Sequence, residues 1–441
     1  MQERTLIGDA GNHIGKTVTI SGWVDVRRDH GKLVFLDIRD RSGKVQSVCL
    51  PNHTEALATA QTLRPEWVVQ IEGIVNERPE KMRNEGMNGN IELEALSINV
   101  LAQAQELPFE KDTDVNLDTL FDYRPLTLRS EHSRDIFSVQ ATVVEEYRQS
   151  LSRQGFVEFQ APSLVGGDAE GGSAVFQVDY FNEQTAYLAT SPQLYKQIMV
   201  GAFERVFTVA RIFRAEKSTT TRHLSEATCI DFEMGFIKNE LDVMEVLEAT
   251  IRDVVEKVAQ KHEVVFSRFG TKPPMLGKKI PILTLKEVHQ TLGVPDTDDT
   301  DPEQERSISE WALKEHGSDF MFITRFPTAS RAFYTMSEDA TYSRGFDLLF
   351  RGLEINSGAQ RIHTYEEMIT RLENRGMDPK KFQFYLQTFK YGMPPHGGSS
   401  TGIERFTARM LGLVNVKEAS AFPRDMNRID TLLHANDTPE E

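Results

Sequence analysis

Two arginines and a histidine lie close together in the middle of the chain, at Arg214, Arg222 and His223. A third arginine, Arg405, comes far downstream, directly after a glycine-rich turn and Glu404. Arginine suits phosphate because its planar guanidinium donates two parallel hydrogen bonds to phosphate oxygens. These residue types favour a bent triphosphate held by side chains over one cradled by a Walker loop. Only the fold can bring Arg214 and Arg405 together.

Carboxylate and hydroxyl groups form a second candidate group, which comprises Asp347, Glu354, Ser357 and the nearby Arg361. A carboxylate on a buried strand is costly unless it is paired or bound to a cation. Oxygens of Asp and Glu, completed by phosphate oxygens, make a typical Mg²⁺ shell. From the pattern alone, a strand-end ion pair is about as good an interpretation of Glu354.

A third group could bind a small acidic substrate, because such a substrate needs cations around its side-chain carboxylate. Lys196, three residues after Gln193, and Arg361 are the candidate cations. On a predicted helix Lys196 would ordinarily be a solvated surface lysine, and Glu170, beside two glycines, would ordinarily be a loop charge.

The elements that position these groups begin with a predicted barrel. Apolar residues alternate with polar ones in several short stretches between residues 15 and 102, which predicts β-strands. The strand candidates cover residues 18–26, 33–39, 45–50, 67–75 and 91–100. About five short strands in this length favour a small closed barrel, of which the OB-fold is the commonest design.

Phe35 lies on the more polar face of the strand predicted at residues 33–39, because strand faces alternate with period two. One interpretation is a barrel wall on which a loop partly covers Phe35. The other is a platform for base stacking, with Arg28 among the nearby cations for phosphates.

The rest of the chain mixes helices and strands. Residues 103–130 resemble a connector, and the apolar stripe that includes Ile136, Val139 and Val143 predicts a helix that ends near Gly155. A strand should follow and end at Pro162, and residues 206–213 and 228–236 should form two antiparallel strands. The acidic residues 295–305 predict a solvated surface loop.

Bulk properties exclude some classes of protein. The formal charge of −16 argues against a protein that coats nucleic acid without specificity, although a local basic face remains compatible with it. The two cysteines, Cys49 and Cys229, give no disulfide framework or cysteine zinc site. Since no apolar run reaches membrane-spanning length and no signal peptide is recognisable, a cytoplasmic protein without a membrane partner is expected.

Three ordered stretches resemble the motifs of the class II aminoacyl-tRNA synthetases. The helix and strand that end at Pro162 resemble motif 1, which builds the dimer in that family. Arg-Ala-Glu at 214–216, Arg-His-Leu at 222–224 and Asp-Phe-Glu-Met at 231–234 resemble motif 2. Gly-Ile-Glu-Arg at 402–405 resembles motif 3.

This resemblance implies a role for each candidate residue. Arg214 would hold the α-phosphate of ATP, Arg222 and His223 the outer phosphates, and Arg405 would complete the ATP site. The catalytic residues would be Arg214, Glu354 and Arg405, and Mg²⁺ would be held by Glu354 and Ser357. The implied ATP-binding residues are Arg214, Glu216, Arg222, His223, Leu224, Glu354, Gly402, Glu404 and Arg405.

Within this class, the chain resembles the compact archaeal and eukaryotic-like aspartyl-tRNA synthetases of subclass IIb. Lys196 and Arg361 match the residues that read the aspartate side chain there, and Glu170 matches a loop residue that meets the amino group. Asparaginyl enzymes share Gln-Leu-Tyr at 193–195 but lack this lysine. The implied aspartate site comprises Glu170, Gln193, Lys196, Arg214, Ser357 and Arg361.

In the barrel, Arg28, Phe35 and Gln46 resemble residues of the anticodon-binding domain of the same subclass. Phe35 would stack on the central anticodon base, and Gln46 would hydrogen-bond to the edge of a base.

The resemblance implies an α+β fold, with an N-terminal OB-fold β-barrel and a C-terminal class II synthetase domain built on an antiparallel sheet flanked by helices. The expected boundaries are residues 1–103 for the anticodon-binding domain, 104–130 for a hinge and 131–441 for the catalytic domain.

The implied reaction is the activation of L-aspartate by ATP with Mg²⁺, followed by transfer to tRNA(Asp), in a homodimer. Lys217 and Ser218 follow the Arg-Ala-Glu of motif 2, as in the asparaginyl branch, so charging of tRNA(Asn) is a further hypothesis. The alternatives are an asparaginyl-tRNA synthetase, a paralogue that makes free asparagine, and a tRNA-binding protein with a silent catalytic domain. Lys196 opposes the first, the barrel opposes the second, and intact motif arginines oppose the third.

Overall fold

A computed structural model describes residues 4–110, 113, 115–167, 174–217 and 220–429. The chain divides into two compact units, Met1–Thr113 and Asp114–Glu441. None of the helices in these described ranges is long and apolar enough to cross a membrane.

The N-terminal unit is a closed β-barrel with the strand order β1-β2-β3-β5-β4. Its elements are β1 (Thr17–Asp29), β2 (Val34–Arg39), β3 (Lys44–Cys49), helix α1 (Thr54–Thr62), β4 (Val68–Glu77) and β5 (Ile91–Ala102). Alternate residues such as Val34, Leu36 and Ile38 fill the interior, which confirms the predicted OB-fold barrel. Helix α1 was not predicted, because only the small residues Ala56 and Ala60 mark its buried face.

On the polar face of β2, one residue is more deeply buried than the alternation predicts. Phe35 lies on that face and is partly buried, as the alternation predicts. Arg39 lies on the same face but is buried, because Asp25 pairs with its Nε at 3.1 Å and Glu66 pairs with its Nη2. A strand-end arginine can thus be drawn inside when carboxylates from neighbouring segments neutralise it.

The C-terminal unit contains the remaining helices and strands. Those up to residue 268 are α2 (Leu117–Asp122), α3 (Arg124–Thr127), α4 (Glu131–Arg153), β6 (Val157–Glu158), β7 (Leu164–Val165), β8 (Gln177–Tyr180), β9 (Gln184–Leu188), α5 (Gln193–Phe203), β10 (Arg205–Phe213), β11 (Glu226–Gly235), α6 (Glu240–Lys261) and α7 (Glu263–Arg268). Those that follow are β12 (Ile282–Thr284), α8 (Leu285–Leu292), α9 (Pro302–His316), β13 (Phe320–Thr324), β14 (Gly345–Phe350), β15 (Glu354–Arg361), α10 (Tyr365–Asn374), α11 (Gln383–Lys390), β16 (His396–Gly402) and α12 (Ile403–Leu411).

Within the described residues, the C-terminal unit is built on an eight-stranded sheet with the order β12-β13-β14-β15-β16-β11-β10-β6. All neighbouring strands are antiparallel except the two pairs at the edges. Helix α4 packs against both α6 and α12, and α6 and α12 pack against the sheet, around a large apolar core. The prediction of an α+β architecture on an antiparallel sheet is confirmed.

Strand β11 shows how the sheet separates core from site. Ile230, Phe232 and Met234 point into the large apolar core. Asp231 and Glu233 alternate with them and therefore face the opposite side of the sheet. The predicted antiparallel pairing of this strand with β10 is confirmed, with Phe207 opposite Phe232 in register.

Two local predictions were wrong. The strand expected to run up to Pro162 is only the two-residue β6, which pairs in parallel with β10. The acidic stretch at 295–305 is not a solvated loop throughout, since helix α9 begins at Pro302. A capping box causes this, because Asp301 accepts hydrogen bonds from the first turn and Gln304 bonds back to the Asp301 backbone.

Candidate active site

The three motif arginines meet in one pocket of about 340 Å³, which we call the arginine pocket. It lies between the segment after β10, the start of β15 and the start of α12, so the fold unites residues far apart in sequence. All nine residues predicted to bind ATP line it: Arg214, Glu216, Arg222, His223, Leu224, Glu354, Gly402, Glu404 and Arg405.

The arginines differ in how firmly they are held. Arg214 follows the end of β10 with 47% of its side chain exposed, and its Nη1 lies 3.9 Å from the Glu216 carboxylate. Arg405, in the first turn of α12, donates from Nη1 to the Glu354 carbonyl at 3.1 Å and from Nε to the Arg222 carbonyl at 3.4 Å. The guanidinium of Arg222 pairs with Glu305 of helix α9.

Two other lining residues have partners that define their state. Burial lowers the pKa of His223, and the nearby Arg405 lowers it further, so its imidazole is neutral at pH 7. Both carboxylate oxygens of Glu404 accept from the backbone N–H of Thr228 at 3.0 Å, which holds β11 against the start of α12.

Glu354 lines the arginine pocket and lies near a second carboxylate, Asp347. Glu354 begins β15, and 39% of its side chain is exposed, so it is less buried than the strand pattern suggested. Desolvation by the surrounding protein, together with the charge of Asp347, raises the pKa of Glu354 to about 7. Arg331 grips Asp347 with two hydrogen bonds at 3.0 and 2.5 Å and also donates to the Ser357 hydroxyl at 3.3 Å.

A buried ionic cluster, formed by Lys196, Asp231, Glu233 and Arg361, adjoins the arginine pocket. The Lys196 ammonium lies 2.9 Å from Asp231 and 3.3 Å from Glu233, and only 1% of its side chain is exposed. Arg361 Nε donates to Glu233 at 2.9 Å. Burial alone would raise the pKa of Glu233, but Arg361 and Lys196 outweigh it and lower the pKa. The default expectation of a solvated Lys196 was wrong.

Ser400 connects this cluster to the pocket, because it lines the arginine pocket while its hydroxyl donates to Asp231 at 2.6 Å. Arg361 uses Nε and Nη2 for Glu233 and the Gly398 carbonyl. Within the described residues its Nη1 group has no hydrogen-bond acceptor, so that edge remains available for a ligand carboxylate.

Gln193 belongs to a buried amide and imidazole network beside the cluster. Its side-chain NH₂ donates to Gln197 at 2.9 Å, and Gln197 in turn bonds to His396 at 2.8 Å. Burial lowers the pKa of His396 to about 4, so this histidine is neutral at pH 7. Gln193 is therefore held rigidly rather than exposed to solvent.

Sequence reasoning missed two members of the site, gave a third no role of its own, and named one residue that cannot be placed. Glu170 lies outside the described residues. Asp347 was noted but given no role, although the register places it directly opposite Ser357. Arg331 and Glu305 come from segments that carry no motif, and no local signal marks them.

In the N-terminal unit, the residues predicted to bind the anticodon share one face of the barrel. Arg28 lies opposite Phe35 between β1 and β2, and Asp37 lies opposite Gln46 between β2 and β3. Arg28 donates two hydrogen bonds to Asp37 at 2.9 Å and one to Gln46 at 3.3 Å. The rings of His30 and Phe35 lie nearly perpendicular to each other, with 5.7 Å between their centroids.

Residues 116–426 match the family described as tRNA synthetases class II (D, K and N), and residues 18–101 match the OB-fold nucleic acid binding domain. The chain belongs to the class II tRNA synthetases. The family match therefore includes the arginine pocket and the buried ionic cluster, while the OB-fold match includes Arg28, Phe35 and Gln46.

Relatives of this synthetase match nearly its whole length. It is 45% identical to an aspartate–tRNA(Asp/Asn) ligase of Thermus thermophilus, over 97% of this chain and 99% of the relative. It is 40% identical to a ligase of the same name from Deinococcus radiodurans, over 97% and 98%. A solved asparaginyl-tRNA synthetase of Pyrococcus horikoshii, complexed with asparaginyl-adenylate, matches with a TM-score of 0.87 at 30% identity, over 97% of this chain and 100% of that one.

Proposed function

We propose that this synthetase activates L-aspartate with ATP to give aspartyl-adenylate and transfers the aspartyl group to tRNA(Asp). We include tRNA(Asn) as a second acceptor, because the two relatives described above are named for both tRNAs. The observation that carries the choice of aspartate is Arg361, which sits in the buried ionic cluster with Nη1 free of described partners. A carboxylate substrate would form charge-assisted hydrogen bonds with that guanidinium, whereas a neutral amide would form weaker ones.

The first step forms one bond and breaks one. The α-carboxylate of aspartate attacks the α-phosphorus of ATP, and pyrophosphate leaves from the opposite side. Arg214 would neutralise the charge that builds on the α-phosphate, while Arg222 and His223 would hold the outer phosphates of the bent chain. Three cations would bind the carboxylates of the substrate, namely Lys196, Arg361 and the motif 2 residue Arg214. Positioning and electrostatics supply the rate, so no protein nucleophile is needed.

Magnesium would enter with ATP at the side of the arginine pocket that Glu354 and Ser357 line. The donor set fits, because these two residues offer hard oxygens and Asp347, which lies opposite Ser357 in the sheet, adds a third nearby. Among the described residues no group of three His, Cys, Asp or Glu could hold a metal alone, so phosphate oxygens would complete the shell. When bound, the ion supplies charge neutralisation at the phosphates.

In the second step the terminal adenosine hydroxyl of the tRNA attacks the carbonyl of the mixed anhydride, and AMP leaves. The barrel face with Arg28, Phe35 and Gln46 would read the anticodon by stacking and edge hydrogen bonds. Arg28 has 43% of its side chain exposed, so its guanidinium can still reach a phosphate.

Pyrophosphate exchange into ATP tests the activation step, with aspartate and asparagine compared. Exchange that depends on aspartate alone is the expected result. Exchange with asparagine alone would assign the chain to the asparaginyl alternative, and none with either, in folded protein, would favour a non-catalytic tRNA-binding paralogue. Charging of purified tRNA(Asp) and tRNA(Asn) with aspartate tests the acceptors, and undetectable charging of tRNA(Asn) would remove the dual assignment.

A matched pair of variants tests the arginine pocket. Arg214→Gln should lower the exchange rate by roughly 100-fold or more, as expected for the loss of a donor to the developing charge. Arg211→Gln removes an arginine of β10, the strand that Arg214 follows; Arg211 does not line the pocket and has 54% of its side chain exposed. Equal losses in both variants would contradict the proposed role of Arg214.

We further propose that the synthetase is a homodimer that uses helix α4 and strand β6. An open groove of about 600 Å³ runs along α4 and includes Phe137, Ala141 and Val144. Val157 of β6 is 44% exposed beside a strand edge that can pair with a second copy. Light scattering should give twice the chain mass, and Val144→Glu should shift it towards the monomer. A monomeric wild type at micromolar concentration would exclude the dimer.

A further inference from the structure

Helix α9 places one buried charge against Arg222, which lines the arginine pocket. Glu305 lies in its first turns, and its side chain is only 10% exposed. Its carboxylate pairs with the Nη2 group of Arg222, whose own side chain is 21% exposed. The other acidic residues of α9, such as Glu310, are exposed to solvent, so Glu305 is the buried acid of this helix.

Glu305 also interacts with two other residues that line the arginine pocket. The backbone amide of Glu354 and the charge of Arg405 act on its carboxylate in addition to Arg222. Burial raises the pKa of Glu305 in spite of these partners. A carboxylate that has lost so much hydration needs its cation, and the cation is correspondingly restrained.

We propose that Glu305 is a positioning residue that holds the Arg222 guanidinium ready for the outer phosphates of ATP and of pyrophosphate. The proposal rests on the function proposed above, because it assumes that Arg222 meets those phosphates. Glu305 itself does not touch the nucleotide.

The geometry favours support over competition between Glu305 and the phosphates. Glu305 engages Nη2 alone, and in the described residues no side chain or carbonyl accepts from Nε or Nη1 of Arg222. A guanidinium carries five N–H donors in a planar fork, so one edge can stay on Glu305 while the other meets phosphate. Arg405 fixes the backbone of the same residue through the Arg222 carbonyl at 3.4 Å.

Glu305→Gln tests this role because it keeps the shape of the side chain and removes its charge. The KM for ATP and the KM for pyrophosphate should each rise about fivefold, the factor by which a neutral hydrogen bond holds Arg222 less firmly than a charge-assisted one. The KM for aspartate should not change, because the buried ionic cluster is untouched. Glu310→Gln, which removes the same charge from the exposed side of α9, should leave all three values unchanged.

The Arg222→Gln background separates positioning from folding. Glu305→Gln should weaken ATP binding in the wild-type background and cause no further loss in the Arg222→Gln background. Equal losses in both backgrounds, or a fall in melting temperature with unchanged KM values, would overturn the proposal, as would tighter ATP binding by the single variant.

Binding of ATP with Mg²⁺, measured by calorimetry without amino acid, keeps the two proposals distinguishable. If wild type binds ATP but shows no exchange with aspartate, the proposed function fails and the comparison of Glu305→Gln with wild type still decides the role of Glu305. If exchange is normal and ATP affinity is equal in the two proteins, only the role of Glu305 is refuted.

Discussion

Replacing Lys196 with methionine tests whether the buried ionic cluster holds the C-terminal unit together. The Lys196 ammonium is the cation nearest to Asp231, at 2.9 Å, and it also lies 3.3 Å from Glu233. Both carboxylates are fully buried. After the replacement, Glu233 keeps Arg361, but among the residues that the structure describes Asp231 retains only neutral donors such as the Ser400 hydroxyl.

Removing one partner of a buried ion pair costs about 3–5 kcal/mol, because the remaining charge is neither hydrated nor neutralised. For a unit of this size, 1 kcal/mol shifts the melting temperature by about 2 °C. We therefore expect the calorimetric transition of the C-terminal unit to fall by roughly 6 °C or more. The transition of the barrel should not move, since the cluster lies wholly in the other unit.

Two further variants make the result specific. Lys196→Met combined with Asp231→Asn should recover part of the lost stability, because the stranded charge is removed. Lys390→Met, at an exposed lysine of α11, should change the melting temperature by less than about 2 °C. If Lys196→Met melted within 2 °C of wild type, the inference that Lys196 stabilises the fold as well as selecting the substrate would be refuted. Tests of amino-acid selectivity at Lys196 must therefore use temperatures at which the variant is folded.

Burial lowers the pKa of His396 from 6.5 to about 4, so between these pH values the folded state binds fewer protons than the unfolded state. The difference between these pKa values corresponds to up to about 3 kcal/mol in the free energy of unfolding, which is fully present above pH 6.5 and is lost as the pH falls towards 4. The free energy of unfolding should therefore decrease with falling pH across this range in wild type, and decrease less in His396→Gln. Phe35→Ala should raise the KM for tRNA roughly tenfold through lost stacking, while pyrophosphate exchange stays unchanged; an unchanged tRNA KM would contradict the stacking role. Gly398→Ala places a methyl group against the Phe232 carbonyl and the Glu233 carboxylate and should cost about 3 kcal/mol in thermal unfolding, whereas at Gly402, where the nearest atom to an added Cβ is 3.9 Å away, alanine should be tolerated in the same assay.

Local periodicity was enough to predict most of the framework. The alternation in residues 33–39 gave the barrel strand and the half-exposed position of Phe35, because a strand presents every second side chain to the same face. The same rule applies to β11, where Ile230 and Phe232 enter the core and Asp231 does not. The glycine-rich stretch before Arg405 was predicted as a turn, which was wrong, because His396–Gly402 form the sheet strand β16 and α12 begins directly after it.

The sequence by itself therefore determined most of the strands and the residue types that can bind phosphate, since these depend on neighbours along the chain. Only the tertiary structure decided which charges are buried and with which partners. By sequence, Glu305 resembles a solvated acid in an acidic stretch, yet it is buried and paired with Arg222. Lys196 likewise resembles an ordinary helix lysine, yet it is buried and paired with Asp231. A buried charge is stable only when a distant residue neutralises it, and that pairing is a property of the fold rather than of any local pattern.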